Sequence, residues 1–345
     1  MRVNAPAGTN APAEKGAAPF ANRNPAPRIE RDVQKDRPAV PAALSRAGVT
    51  NLRRIIRISD GGEAQLFYAT MDLFADLNPE QAGVHMSRFN EVVERLAGEL
   101  AWEPSPDIES LAGRMAQQVV ETQGAMRSEV RIRAHFPIIK RTPITGLPTE
   151  ELYTLLGIAA STPERTRRLV GVEVEGLTVC PCAQDIMRSH SEDLLQESGF
   201  TEEQVERILN VLPMASHNQR GRGMLLIGSE KRLRAEDLVD LVERSMSSET
   251  YELLKRPDEF YVVDKAHRNP RFVEDVVREM LRNVVEAYPD LPGDAFLLAR
   301  QENFEGIHEH NAFAERCGTL GEIRPEIAGE AHAPRHTTLE GWLTT

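Results

Sequence analysis

The sequence predicts an α+β protein made of two successive units of one kind, each an antiparallel sheet carrying helices on one face. Three observations support this. Strand-like and helix-like periodicities follow the order strand, strand, helix, helix, strand, and the order then recurs. The helical stretches come in succession, whereas a doubly wound parallel sheet would alternate strand and helix singly. The clearest strand segments alternate apolar and polar residues, as a sheet with one covered face requires.

In the first unit, β-rich runs over residues 52–58 and 64–73 flank Asp60, Gly61 and Gly62, a hairpin signal. Residues 86–100 put Phe89, Val92, Val93 and Leu96 on one helical face, and residues 108–120 do the same with Leu111, Met115, Val119 and Val120. Val130, Ile132, Ala134 and Phe136 then alternate with Arg131, Arg133 and His135, the period of a half-buried strand.

In the second unit, Val170, Val172 and Val174 alternate with Gly171, Glu173 and Glu175 on a strand running toward Cys180. Residues 223–228 predict another short strand, 235–246 and 272–287 two helices, and 295–300 a closing strand. Helical patterns over 186–197 and 202–212 interrupt this unit between Cys180 and His217. The expected organisation is an Ala/Pro-rich tail over 1–45, a first unit over 46–150, a second over 151–330 and a C-terminal tail over 331–345. The end of the first tail, from Asp32 onward, is more apolar and is expected to reach the body.

Composition narrows the function classes. The 345 residues include 41 Lys and Arg against 53 Asp and Glu, a net charge of −12, and 41% are apolar. This excludes a membrane span, a disordered chain and a disulfide scaffold, since three cysteines cannot frame a chain of this length. No apolar run follows a basic start, so a cytoplasmic protein with reduced thiols is expected. A pI of 5.4 argues against nucleic-acid or membrane partners, which would favour a basic field. The charge is uneven, with +3 on residues 1–45 and −15 on the rest.

Three dense polar clusters stand out. Thr178-Val179-Cys180-Pro181-Cys182-Ala183-Gln184 ends a predicted strand, and its cysteines are too closely spaced for half of an ordinary structural zinc site. One thiolate as a metal ligand with the other nearby suits the spacing better. Ser216-His217-Asn218-Gln219-Arg220-Gly221-Arg222-Gly223 offers an imidazole for metal or proton chemistry and two arginines suited to phosphate. His308-Glu309-His310 on an extended segment would turn both imidazoles to one side. Taken singly, Glu259 and Glu274 read as surface or helix-start carboxylates, and Cys317 as a small apolar residue. No P-loop, GxGxxG or HExxH pattern is present.

Together with Asp32-Val33-Gln34, Gly83-Val84-His85-Met86-Ser87-Arg88-Phe89, Arg256-Pro257-Asp258-Glu259 and Phe272-Val273-Glu274-Asp275, these clusters resemble, in order, the prokaryotic type IB GTP cyclohydrolases, including the archaeal methanopterin-pathway enzyme. The resemblance spans roughly residues 30–315. It implies a tunnelling fold and a homotetramer with GTP sites at subunit interfaces. The implied reaction hydrolyses GTP at C8, releases formate and closes a pterin ring, the first step of folate or pterin synthesis. It also implies one divalent ion per site, manganese, iron or zinc, held by Cys180, His217 and Glu259.

By the same resemblance, Glu274 holds the guanine edge, Arg220 is a phosphate candidate beside Arg222, and Cys180, His308 and His310 take part in catalysis. Cys182 is left between assisting and structural roles, and His85 and Arg88 between substrate contact and helix capping. The product expected is 7,8-dihydroneopterin triphosphate. The alternatives are the 2′,3′-cyclic phosphate of the archaeal enzyme, toward which the 37-residue separation of Cys180 and His217 points, and a non-catalytic pterin- or purine-binding protein of the same fold.

Overall fold

The computed structural model describes residues 31–59, 63–100, 104–330 and 335–344. Most of the expected N-terminal tail and the Asp60-Gly61-Gly62 turn lie outside them. The first unit contains β1 (Leu44–Ile58), β2 (Gln65–Leu77), α1 (Met86–Leu100), α2 (Ile108–Gln123), β3 (Ser128–Arg141) and β4 (Pro148–Ser161). The second begins with β5 (Thr166–Val179), α3 (Pro181–Glu197), α4 (Glu202–Val211), β6 (Asn218–Gly228), α5 (Ala235–Ser245) and the two-residue β7 (Ser248–Glu249). It continues with α6 (Arg256–Arg268), α7 (Val273–Ala287), β8 (Phe296–Asn303), β9 (Ala312–Thr319), α8 (Leu320–Ile327) and α9 (Leu339–Thr344).

The strands form one antiparallel sheet in the order β1-β2-β3-β4-β5-β6-β8-β9, with β7 on β5. Each unit has a core of two strands, two helices and two strands, with α3, α4 and α6 inserted into the second. This is the α+β tunnelling architecture. The fourth strand of each unit escapes the sequence pattern for a physical reason. Residues 155–161 of β4 are all buried, because helices cover one face and α9 reaches the other, so the apolar-polar alternation disappears. β9 is an edge strand of mixed composition. The expected boundary at 150/151 therefore falls inside β4.

Local chemistry sets the helices. In α1, Phe89, Val92, Val93 and Leu96 are buried, as their spacing predicts. Asp107 caps α2 by accepting from the Ser110 amide at 2.7 Å, and Gly124 ends it in the left-handed region at φ 65°. The main core lies between the sheet and these helices. Glu243 of α5 binds across the units, taking a hydrogen bond from the Tyr153 hydroxyl at 2.7 Å and pairing with Lys140.

A second apolar cluster covers the other face of the sheet, where Leu156, Leu169, Leu226, Phe296 and Leu298 pack under Trp342 and Leu343 of α9. The segment expected to be a C-terminal tail thus ends in a packed helix. Gly228 leaves room for the Trp342 ring, which a Cβ there would strike. At the other end, Asp32–Gln34 docks on the body: the Gly83 amide donates to the Gln34 carbonyl at 3.1 Å, and His85 Nε2 lies 2.9 Å from Asp32. No described helix is long and apolar enough to cross a membrane.

Candidate active site

The antiparallel register brings the end of β5, the start of β6, the end of β8 and the start of β9 to one edge of the second unit. The polar clusters sit on these ends. Cys180 is the N-cap of α3, and Pro181 takes the first helical position, where its missing N–H costs nothing. Its Sγ accepts from the Ala183 amide at 3.5 Å. The Cys180 amide donates to the His217 carbonyl at 3.2 Å, and the Ser216 hydroxyl donates to the Cys180 carbonyl at 2.6 Å, so the two motifs are strapped together.

Cys180, His217, Glu274, His308 and His310 line one cavity of about 250 Å³. Five of the seven predicted site residues therefore converge, although they span positions 180 to 310. The His308 and His310 rings stack at 5.0 Å with 15° between planes, and His308 meets His217 edge-on at 6.5 Å. The pair lies in the bend between β8 and β9 rather than on an extended segment, yet both rings reach one cavity. Glu274 stands in the first turn of α7, where the helix dipole favours a carboxylate.

Two predicted residues are elsewhere. Glu259 is exposed in the first turn of α6. Its neighbour Asp258 pins that end to the β3–β4 hairpin, and the opposite end of α6 abuts α3, where Gln184 Nε2 donates to the His267 carbonyl at 2.7 Å. Arg220 points to the opposite face of the sheet from its buried neighbour Gln219, because strand residues alternate. There it pairs with Glu175 at 3.3 Å, beside Arg222, in a separate cavity of about 720 Å³. Within one chain Glu259 therefore lies apart from Cys180 and His217. Among the described residues no group of three or more His, Cys, Asp and Glu side chains is placed to hold one cation, and of the three expected ligands Cys180 and His217 line the cavity while Glu259 does not.

The remaining candidates lie outside this cavity. Cys182 is exposed. Arg88 donates to the Thr122 carbonyl, and the His85 backbone exchanges hydrogen bonds with the Gln123 side chain, so this motif joins α1 to α2. Cys317 packs against the second apolar cluster, and burial pushes its thiol up.

Among the cavity residues with no role in the sequence reading, three carry charge or touch His217. Arg271 holds α7 to β5 by donating its amide to the Val179 carbonyl at 3.0 Å, and it pairs with Glu279. Glu305 lies 3.8 Å from His217 Nδ1. Gln219 lies 3.0 Å from the same nitrogen. Gln219 was findable, since it stands in the same dense polar motif two positions after His217. Glu305 sits in irregular chain that carries no periodic signal. The assembled groups are a thiol, three imidazoles, two carboxylates and a guanidinium, a set suited to proton transfer and to holding a polar ring.

A model of the GCHY-1 family, described as type I GTP cyclohydrolase folE2, matches residues 31–314. The GTP cyclohydrolase MptA of Methanothermobacter thermautotrophicus is 41% identical over 304 residues, which cover 86% of this chain and 95% of the relative. The GTP cyclohydrolase MptA 2 of Methanocella arvoryzae is 40% identical over 303 residues, covering 86% and 98%. Among solved structures, the uricase of Arthrobacter globiformis superposes with a TM-score of 0.47 at 10% identity, covering 80% of this chain and 93% of that one. The match over residues 31–314 takes in every residue of the cavity, and on that basis the chain belongs to the type I GTP cyclohydrolase family of the folE2 kind.

Proposed function

We propose that the protein opens the imidazole ring of GTP at C8, releases formate and yields 7,8-dihydroneopterin 2′,3′-cyclic phosphate. The single observation behind the cyclohydrolase reading is the cavity in which Cys180, His217, Glu274, His308 and His310 meet. Glu274 accepts from the guanine N1–H and 2-amino groups, and adenine would leave this carboxylate unmatched. His217, His308 and His310 carry protons for water addition, formate release and rearrangement of the ribose. Arg271 supplies positive charge beside the cavity.

The cyclic product replaces the triphosphate that the sequence alone favoured. Two features support it: relatives at 37–41% identity carry the name GTP cyclohydrolase MptA, and α3 and α4 fill the long separation between Cys180 and His217 that points to the archaeal form. The extra step forms a bond from the side-chain 2′ oxygen to the α-phosphorus and breaks the α–β phosphoanhydride, so diphosphate leaves.

The cavity is smaller than the roughly 300–1,000 Å³ usual for small-molecule sites. A neighbouring copy completing it within a homotetramer is therefore part of the proposal, and Glu259, exposed on α6, is free to serve such a neighbour. Any divalent ion would be held only in that assembled form.

The test is product analysis by mass after incubating GTP with protein supplied with manganese, iron or zinc in turn. Formate, diphosphate and a pterin cyclic monophosphate are expected. A pterin triphosphate without diphosphate would restore the triphosphate reading. Unchanged GTP with all three metals would reject the cyclohydrolase.

A further inference from the structure

We infer that the first unit holds a second, non-catalytic pocket for a flat nitrogen heterocycle of the guanine or pterin kind, with Glu109 as its acceptor. The choice of ring class rests on the proposed role of Glu274 at the guanine edge, whereas the pocket itself follows from the repetition of the two units.

That repetition is detailed at the second core helix of each unit. Ile108, Glu109, Met115, Val119, Val120 and Glu121 of α2 recur in α7, at the same spacing, as Val273, Glu274, Met280, Val284, Val285 and Glu286. Glu109 and Glu274 thus take the same place in the first turn. The strands correspond as well, since β1, β2, β3 and β4 follow one another in the sheet as β5, β6, β8 and β9 do.

A cavity of about 410 Å³ occupies the corresponding place in the first unit. Ile58 at the end of β1, Phe67 near the start of β2, Phe136 of β3 and Leu155 of β4 line it together with Glu109. The Glu274 cavity draws in the same way on β5, β6, β8, β9 and the first turn of α7. The volume falls within the roughly 300–1,000 Å³ usual for small-molecule sites. The opposing wall comes from the same chain. Val170 of β5 and Leu233 ahead of α5 close the cavity, and Arg232 beside them pairs with Asp107 at 3.3 Å.

The lining itself points to a ligand. Glu109 is 9% exposed, yet its Oε2 has no hydrogen-bond partner among the described residues, so one acceptor oxygen is buried at the cavity without a donor. A ring N–H with an adjacent amino group would supply donors to that carboxylate. Phe67 and Phe136 offer apolar faces to the ring. Among the described residues lining this cavity there is no His or Cys, so it has binding groups without the acid–base groups of the Cys180 cavity.

The experiment is calorimetric titration of full-length Glu274→Gln protein with pterin and, separately, guanosine, at about pH 8, where Glu109, raised by burial to about 7, is ionised. Adenosine, which lacks the donor pair, is the control. Replacing Glu274 weakens the cavity of the second unit, so the first is read by itself. One pterin or one guanosine per chain is expected. Adding Glu109→Gln should weaken that binding at least about 10-fold, the effect of losing hydrogen bonds to a buried carboxylate. Tighter binding of pterin would mark a product-like ligand, and tighter binding of guanosine a substrate-like one. Hydrogen exchange at the Ser110 and Leu111 amides, in the first turn of α2, should slow on saturation with pterin or guanosine.

Failure of both rings to bind Glu274→Gln overturns the inference, as does adenosine binding equally well or an affinity unchanged by Glu109→Gln. Should the double variant fail to fold, exchange in Glu274→Gln decides, and unaltered rates at Ser110 and Leu111 with both rings overturn it. If wild type turns over no GTP, the cyclohydrolase reading fails while binding through Glu109 is still measured. Turnover without a second pocket leaves that reading in place and removes this one.

Discussion

Asp258 grips Thr145 twice, taking its backbone amide at 2.9 Å on one carboxylate oxygen and its hydroxyl at 2.6 Å on the other. The Ile144 amide at 2.8 Å and the Lys255 amide at 3.1 Å complete the cradle. This clasp joins the start of α6 to the β3–β4 hairpin and so ties the second unit to the first. Burial raises the Asp258 carboxyl, but these donors outweigh it and hold the group well below the usual carboxylate range. The stabilisation is therefore present at neutral pH and is lost in acid, as pH falls through the depressed value. Asp258→Asn should speed hydrogen exchange at Ile144 and Thr145 and flatten the acid limb of the stability curve. Unaltered exchange at both amides would show that the clasp does not hold the hairpin.

Glu109 titrates in the opposite sense. Burial, with the Asp107 charge adding to it, pushes its carboxyl up to about 7 from an ordinary 4.5. One carboxylate oxygen is buried with no hydrogen-bond partner. The folded state then binds more protons than the unfolded state between those two values, so stability falls as pH rises from about 4.5 to 7. Glu109→Gln should remove that slope and stabilise the protein at pH 8 by about 3 kcal/mol, from 1.36 kcal/mol per pKa unit. Urea melts at pH 5 and pH 8 check this, and equal slopes for variant and wild type would refute it.

Trp342 anchors α9 to the sheet. Its ring packs on Phe296 at 5.6 Å, the Arg167 guanidinium lies 4.3 Å from its centre, and its indole N–H donates to the Asp294 carbonyl at 2.9 Å. Truncating a buried aromatic costs about 3–5 kcal/mol. Trp342→Ala should lose that order of stability in urea melts while the Cys180–His217 strap, at the far end of β6, stays intact. A loss below 1 kcal/mol would mean that α9 is not a structural cover.

The cavity residues should separate in kinetics. Cys180→Ala and His217→Ala should lower GTP turnover by at least about 100-fold, the range for removing a positioned acid–base group. Cys182→Ala, at an exposed position, should change it less than about fivefold. Comparable losses at Cys180 and Cys182 would contradict the geometry.

Glu274→Gln should weaken GTP use while leaving the fold unchanged, since the side chain is exposed on the first turn of α7. Discrimination between GTP and ATP should fall together with kcat/KM, because the amide can no longer accept both guanine donors. Unchanged discrimination would make Glu274 a surface carboxylate.

The amino-acid order by itself determined the paired helices, the alternating strands and four of the five residues that meet in the cavity, while Glu274 was reached only through the family resemblance. Periodicity is a local property, and the polar motifs are compact enough to be seen without a fold. β4 was hidden because burial on both faces erases alternation, and that burial depends on α9, which lies far along the chain. The positions of Arg220 and Glu259 were also beyond local reading. Strand alternation turns Arg220 away from the cavity, and the Asp258 clasp sets the end of α6 that carries Glu259 against the first unit. The pairing of Gln219 with His217 and Thr178 needed the register of β5 on β6, a contact that only tertiary structure fixes, because hydrogen bonds between strands join residues 41 positions apart.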